Sequence, residues 1–212
     1  ELRPLATGAT VSRTADDLAA YHNKFMVVDG RTLYVLGFNY THLDIDKSRG
    51  FGVATTTRRV VNEAIKLFEA DFNRQPYEPG LKNFLVSPEN SRAELAAFLR
   101  GAKKQLLIYD VHITDNAMIK ILKDRAKAGV EIRVMGKLEK KDLEADVEKF
   151  PGRLHARIII QDGKKAFLGS QSLRRVELDG RREVGVIITD PKIVRQLVST
   201  FGSDWAETDP GK

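Results

Sequence analysis

Two short segments of the chain each combine a histidine, a cation two residues later and an aspartate five residues after the cation. The second set repeats the first at an offset of 133 positions. The two sets are His22, Lys24 and Asp29, and His155, Arg157 and Asp162. An imidazole can attack an electrophile or exchange a proton, and a cation can bind an anionic oxygen. Because a constant offset indicates a duplicated unit, we expect one two-fold site to which each half contributes a histidine.

Each set is predicted to lie in a β-hairpin. Apolar, largely β-branched runs at 25–28 and 158–160 are typical of buried strands. The Asp-Gly dipeptides that follow them predict turns, with return strands at 32–36 and 165–168. For an isolated histidine, a core hydrogen bond is the plainer interpretation. Two histidines at matched positions favour a functional one.

The rest of the chain alternates predicted strands and helices, which favours right-handed crossovers and a mainly parallel sheet. Residues 40–50 are predicted as a loop and Gln75–Asn83 as a linker containing Pro and Gly. The predicted strands are 51–56, 84–86, 105–109 and 130–135. The predicted helices are 58–74, 91–103 (capped by Ser91 with Glu94), 114 or 115 to 128, 139–150, and 190 to about 205.

Composition bounds the class of protein. With 212 residues, 42% hydrophobic and 30% charged, the chain is long enough for one large or two small domains with their own cores. The absence of cysteine excludes disulfides and thiolate metal sites. A net charge of +6 favours an anionic partner. The sequence assigns no localisation.

The repeated pattern resembles the signature of the phospholipase D superfamily, whose members carry H-x-K-x4-D twice. The first copy continues to Asn39, although the family's Gly-Ser-x-Asn reads Leu36-Gly37-Phe38-Asn39 here. In the second copy Arg157 replaces the lysine, Gly169-Ser170 is intact, and Ser172 replaces the asparagine. The resemblance covers about residues 20–207.

This resemblance implies an α/β fold of two lobes related by a pseudo-two-fold axis, with mainly parallel or mixed sheets flanked by helices. We expect a first lobe at 1–75, a linker at 76–83, a second lobe at 84–207 and a tail at 208–212. About 70 residues of strand and helix precede His155 in its lobe, whereas only 21 residues precede His22. The first lobe is therefore expected to lack its opening strands and helices and to leave apolar surface bare.

The resemblance also implies residue roles. His22 is expected to be the nucleophile that forms a phosphohistidine, and His155 the acid and base. Phosphate oxygens are expected to be bound by Lys24, Arg157, Asn39 and Ser172, with Ser170 as a further substrate contact. Asp29 and Asp162 are structural parts of the motif. His112 is either a substrate contact or a plain loop residue, and neither a metal nor a cofactor is implied.

Each imidazole needs an acceptor that fixes its tautomer. Glu183 stands 28 residues after His155, where similar family members carry a carboxylate, but the equivalent residue in the first half is Gly50. Asp44 and Asp46 lie nearby and are alternative acceptors, although their spacing differs. We therefore expect Glu183 to bind His22 across the axis and His155 to be loosely held.

The superfamily contains several kinds of protein, so three functions stay open. The first is hydrolysis or transfer of a phosphatidyl group, with anionic phospholipid as substrate, peripheral membrane contact and a monomer containing an internal pseudo-dimer. Apolar loop residues such as Leu36, Phe38, Tyr40 and Leu43 are expected to contact acyl chains. The alternatives are a nuclease, favoured by the basic charge, and a catalytically weakened binding homologue.

Overall fold

The computed structural model describes residues 8–139 and 144–208. The strands are β1 (Ala20–Tyr21), β2 (Phe25–Val28), β3 (Thr32–Leu36), β4 (Ser48–Arg49), β5 (Gly52–Thr55), β6 (Phe84–Ser87), β7 (Gln105–Ile113), β8 (Glu131–Leu138), β9 (Asp146–Glu148), β10 (Arg153–Leu154), β11 (Arg157–Gln161), β12 (Lys165–Gly169) and β13 (Arg181–Ile188). The helices are α1 (His42–Lys47), α2 (Arg58–Asn73), α3 (Ser91–Arg100), α4 (Asn116–Lys127), α5 (Arg175–Asp179) and α6 (Pro191–Glu207).

The fold is α/β, with mixed sheets flanked by helices. The large sheet has the strand order β1-β13-β12-β11-β7-β8-β9, and β6 also pairs with β13. Its β7, β8 and β9 are parallel, while the hairpin β11–β12 and its neighbours are antiparallel. A smaller sheet, β2-β3-β5, belongs to the first half, and β4 pairs with β10.

The internal repeat extends to strand register. Phe25 pairs with Val35 in the β2–β3 hairpin, and Ile158 pairs with Leu168 in β11–β12. Each of these residues lies 133 positions from its counterpart, and the pairings of β3 with β5 and of β12 with β13 repeat in the same way. The Asp-Gly turns predicted from sequence form both hairpins, because Asp29 and Asp162 adopt the left-handed conformation that such turns need.

The two halves also exchange short strands. β1 of the first half pairs in parallel with β13 of the second, and β10 of the second pairs in parallel with β4 of the first. The registers are again equivalent. These reciprocal pairings tie the segment before each histidine to the opposite half, which is the arrangement that a pseudo-two-fold axis requires.

One hydrophobic core spans both halves. It includes Leu33 and Val35 of β3 together with Ile158 and Leu168 of the second hairpin. A second core lies on the other face of the large sheet, beneath α3 and α4. The predicted linker is anchored to the shared core, because Tyr77 is buried and its hydroxyl donates to Glu63 over 2.6 Å. Packing therefore continues across this part of the chain. The division into two lobes at residues 76–83 stays a proposal.

Several local predictions are wrong. Of the predicted helix 139–150, residues 140–143 lie outside the described residues, and 146–148 form strand β9, parallel to β8. The predicted loop 40–50 contains α1, which begins because Thr41 caps the Asp44 N–H. Asn90, not Ser91, is the N-cap of α3, and it makes no side-chain capping bond. The sequence also favours a strand end at residues 1–5, which lie outside the described residues.

Candidate active site

His22 lies directly after β1, where its N–H donates to the Arg182 carbonyl over 2.8 Å. Its Nδ1 lies 2.9 Å from Oε1 of Glu183, which is fully buried in β13. The β1–β13 pairing thus aligns the imidazole with a carboxylate from the other half. The expected contact across the axis is present.

His155 occupies the equivalent place after β10, and its N–H donates to the Arg49 carbonyl over 3.0 Å. Its Nδ1 lies 2.9 Å from Oδ1 of Asp44, a buried residue of α1. The expectation that His155 lacks a carboxylate is therefore wrong. Sequence reasoning placed Asp44 nearby but could not orient it, because helix α1 was predicted as a loop.

Lys24 interacts with the carboxylates of both histidine–carboxylate pairs. Its ammonium donates to the His22 carbonyl and interacts electrostatically with both Glu183 and Asp44. Burial lowers the pKa of Lys24 to about 8, with Arg157 acting in the same direction and the carboxylates opposing it. The structure therefore brings both halves of the motif together around one cation.

Arg157 is buried and bridges the two halves. Its Nε donates to Ser172 Oγ over 3.2 Å, and a terminal nitrogen donates to the Gly37 carbonyl of the first half over 3.3 Å. The longer arginine and the shorter serine together replace the family's lysine and asparagine. Arg157 thus links Ser172 of the second half to Gly37 of the first and also supplies positive charge.

The loops after β3 and β12 are held in the same way. Asp44 Oδ2 accepts the Asn39 N–H over 3.0 Å, and Glu177 Oε2 accepts the Ser172 N–H over 2.6 Å. The Asn39 side-chain amide also donates to Asp44 over 2.7 Å. Asp44 and Glu177 stand 133 positions apart, so the internal offset was a signal that could have identified both carboxylates.

Other predicted site residues have structural surroundings. Ser170 is fully buried, and its hydroxyl is bonded to the backbone of Val184, which argues against the expected substrate contact. His112 lies within β7 rather than in a loop after it, and its N–H donates to Asp110. Asp162 accepts the N–H groups of residues 103–105 and so locks its turn, as a structural role requires. Asp29 is exposed at the equivalent turn.

Sequence reasoning also missed Asp110. This fully buried carboxylate accepts N–H groups from Leu173 and His112. Burial raises its pKa, although those bonds and Arg157 oppose the effect. Asp110 therefore fixes the loop that carries Ser172 in the second half.

Among residues 8–139 and 144–208 no group of three or more His, Asp or Glu is arranged to hold a metal ion. Within the same ranges, no helix combines the length and apolarity that crossing a membrane demands.

Residues 95–205 match a family model described as "Cardiolipin synthase, PLD-like domain". A cardiolipin synthase of Staphylococcus aureus (strain Mu50) is 26% identical over 87% of this chain and 47% of its own length. A cardiolipin synthase of Halalkalibacterium halodurans is 25% identical over 89% of this chain and 46% of its own length. The chain thus spans about half the length of these curated relatives.

Three solved structures share the fold at low sequence identity. Polyphosphate kinase from Porphyromonas gingivalis has a TM-score of 0.71 at 17% identity, over 86% of this chain and 32% of its own. Phosphatidylserine synthase from Haemophilus influenzae has a TM-score of 0.63 at 11% identity, over 88% and 61%. The phospholipase D family member Nuc from Salmonella typhimurium has a TM-score of 0.53 at 18% identity, over 59% and 94%. With its doubled motif, exchanged strands and matching family model, the chain belongs to the phospholipase D superfamily, in the cardiolipin synthase-like family.

Proposed function

We propose that the two halves form one catalytic centre that hydrolyses or transfers a phosphatidyl group through a phosphohistidine. The observation that carries the proposal is the reciprocal pairing of imidazoles and carboxylates. His22 is bonded to Glu183 of the second half, and His155 to Asp44 of the first. Lys24 lies within the field of both carboxylates. Two oriented imidazoles beside a cation suit the cleavage of an anionic diester.

The carboxylates determine which ring nitrogen reacts. When Nδ1–H donates to a carboxylate, Nε2 carries the exposed lone pair. Nε2 of His22 attacks phosphorus, so that the N–P bond forms as the P–O bond to the leaving alcohol breaks. Protonated His155 gives its Nε2 proton to the departing oxygen. His155 then removes a proton from water or from an acceptor alcohol, which attacks phosphorus and releases His22.

The electrostatic surroundings suit these roles. Burial, Arg157 and Arg153 lower the pKa of His155, while Asp44 raises it, and the net shift is downward. A lowered pKa favours the neutral base needed in the second step, while the Asp44 carboxylate favours the protonated acid needed in the first. Lys24 and Arg157 supply the positive charge that stabilises the phosphoryl oxygens, and the Asn39 amide, held by Asp44, is the further donor.

A phospholipid is the favoured substrate because the family model and the similar curated proteins are described as cardiolipin synthases. Tyr40 and Leu43, near Asp44, are exposed and therefore available to contact the acyl chains of a lipid. Leu36 and Phe38 are only partly exposed. Nucleic acid is the alternative that the net charge of +6 supports.

The test compares head-group release from phosphatidylglycerol vesicles with cleavage of single-stranded DNA, each with and without EDTA. We expect release from vesicles, EDTA-insensitive, that is lost in His22→Ala. His42→Ala is the matched control, because His42 is exposed and paired only with Asp46 among its described ion-pair partners. Cleavage of DNA alone would identify a nuclease, and inactivity on both substrates would identify a binding homologue.

A further inference from the structure

The first half carries no carboxylate at the position equivalent to Glu183. That position is Gly50, and the space beside it is filled by Phe38. A Cβ atom at Gly50 would lie 2.9 Å from Cδ1 of the Phe38 ring and 3.2 Å from its Cβ. An acidic side chain at position 50 alone would therefore displace the aromatic residue. The first half must supply a carboxylate to His155 from elsewhere.

The carboxylate that reaches His155 is the counterpart of Glu177, not of Glu183. Asp44 and Glu177 each accept the backbone N–H of the residue five positions earlier in the chain. Their remaining oxygens differ. The second oxygen of Glu177 faces Arg174 at 3.4 Å and Arg181 at 3.9 Å. The second oxygen of Asp44 instead contacts His155 and Arg153.

We propose that Asp44 is the positioning residue of His155, and that it replaces the carboxylate absent at Gly50 while coupling the imidazole to Asn39. This inference rests on the proposed function and extends it. One Asp44 oxygen binds the backbone and amide of Asn39, and the other binds His155 Nδ1. The amide expected to bind phosphate and the imidazole proposed to transfer a proton are thereby held by a single side chain.

Neighbouring hydrogen-bond donors keep the Asp44 carboxylate negatively charged. Burial acts to raise its pKa, but hydrogen bonds from Arg153, Asn39 and His155 outweigh burial and hold the pKa below its ordinary value. Asp44 in turn raises the pKa of His155 against burial, Arg157 and Arg153. Removing the Asp44 charge must therefore lower the pKa of His155 further. In Asp44→Asn the single carbonyl oxygen can accept from Asn39 or from His155 but not from both, so the Nδ1–H tautomer of His155 is no longer fixed.

The first experiment does not depend on turnover. The chain has four histidines, so ¹⁵N-histidine NMR gives a small set of imidazole signals, and His155→Ala identifies the one of interest. In Asp44→Asn we expect the titration midpoint of His155 to move to lower pH. We also expect the population of its Nδ1–H tautomer to fall relative to the Nε2–H tautomer. Asp46→Asn is the matched control, because Asp46 lies on the same helix, is exposed and pairs with His42. An unchanged His155 signal in Asp44→Asn would overturn the inference.

The second experiment uses the leaving group. His155 protonates the departing oxygen, so Asp44→Asn should slow phosphatidylglycerol cleavage by about 10²-fold or more. The burst of nitrophenol from a nitrophenyl phosphodiester, which needs little protonation and precedes the base-assisted release of His22, should be slowed far less. Glu183→Gln, which acts on the nucleophile His22, should slow both substrates alike. Equal losses on both substrates in Asp44→Asn would contradict a role through His155.

A rescue variant completes the design. Asp44→Asn combined with Phe38→Ala and Gly50→Glu clears the ring and returns a carboxylate to the position equivalent to Glu183. We expect this variant to recover part of the lost rate on substrates with poor leaving groups. We also expect the titration midpoint of His155 to return towards its value in the unmodified chain. If the unmodified chain cleaves neither substrate, the proposed function fails, while the NMR titration still decides whether Asp44 controls His155.

Discussion

The outer faces of the two equivalent hairpins differ sharply in exposure. Met26 and Tyr34 of the first half are 44% and 36% exposed, whereas their counterparts Ile159 and Phe167 are 3% and 1% exposed. In the second half β7 pairs with β11, and α3 and α4 cover the sheet. Residues 8–83 contain no equivalent of these elements. The β2–β3 hairpin therefore forms although its outer face is uncovered, because its inner face contributes to the shared core.

The site itself shows the opposite relation, since the two halves reach similar geometry with different residues. Both histidines follow a short exchanged strand and both meet a buried carboxylate. Their surroundings still differ, with side-chain exposures of 32% for His22 and 13% for His155. The comparison teaches that the cross-half strand pairing preserves the site, while the identity of each partner is free to change.

The largest expected effect separates the two histidines. His22→Ala should reduce turnover by about 10⁴-fold or more and abolish phosphorus labelling, because the nucleophile is gone. His155→Ala should still acquire label from an activated substrate but fail to release it. Denaturation in SDS at alkaline pH, which preserves the acid-labile N–P bond, followed by gel autoradiography measures the label. If labelling disappears only in His155→Ala, the roles of the two halves are reversed.

The second prediction concerns the covered and bare sheet faces. Ile159→Ala should lower the free energy of unfolding by roughly 2–5 kcal/mol, since it leaves a cavity under α3 and α4. Met26→Ala at the equivalent exposed position should change it by about 0.5 kcal/mol or less. Urea unfolding followed by circular dichroism gives both values. Similar losses would mean that the outer face at Met26 is covered in the folded chain.

The smallest predicted effect concerns pH. Burial and Arg157 lower the pKa of Lys24 to about 8, although Glu183, Glu177 and Asp44 act to raise it. Below pH 8 the Lys24 side chain is a charged ammonium that binds phosphate. Above pH 8 it loses its proton and its charge, so kcat/KM should fall on the alkaline side. Lys24→Arg keeps its charge and should move that limb to higher pH. An alkaline limb unchanged in Lys24→Arg would assign it to another group.

Much of the fold could be predicted from the sequence. Apolar period-two runs and Asp-Gly turns determine the hairpins at β2–β3 and β11–β12, and the helical pattern determines α2, α4 and α6. The contact between His22 and Glu183 was also predicted, because the family spacing marks Glu183. These features depend on neighbouring residues or on a fixed offset, and both are visible in a single sequence.

The tertiary structure alone decided the partner of His155. Asp44 is 111 positions away, and it reaches the imidazole only because β10 pairs with β4 and α1 turns the carboxylate inward. Strand β9 likewise forms by pairing with β8, although its charged sequence resembles a helix. Local propensity is weak where long-range pairing supplies the backbone hydrogen bonds. The sequence therefore determined which groups are available for chemistry, and packing across the pseudo-two-fold axis determined which of them meet.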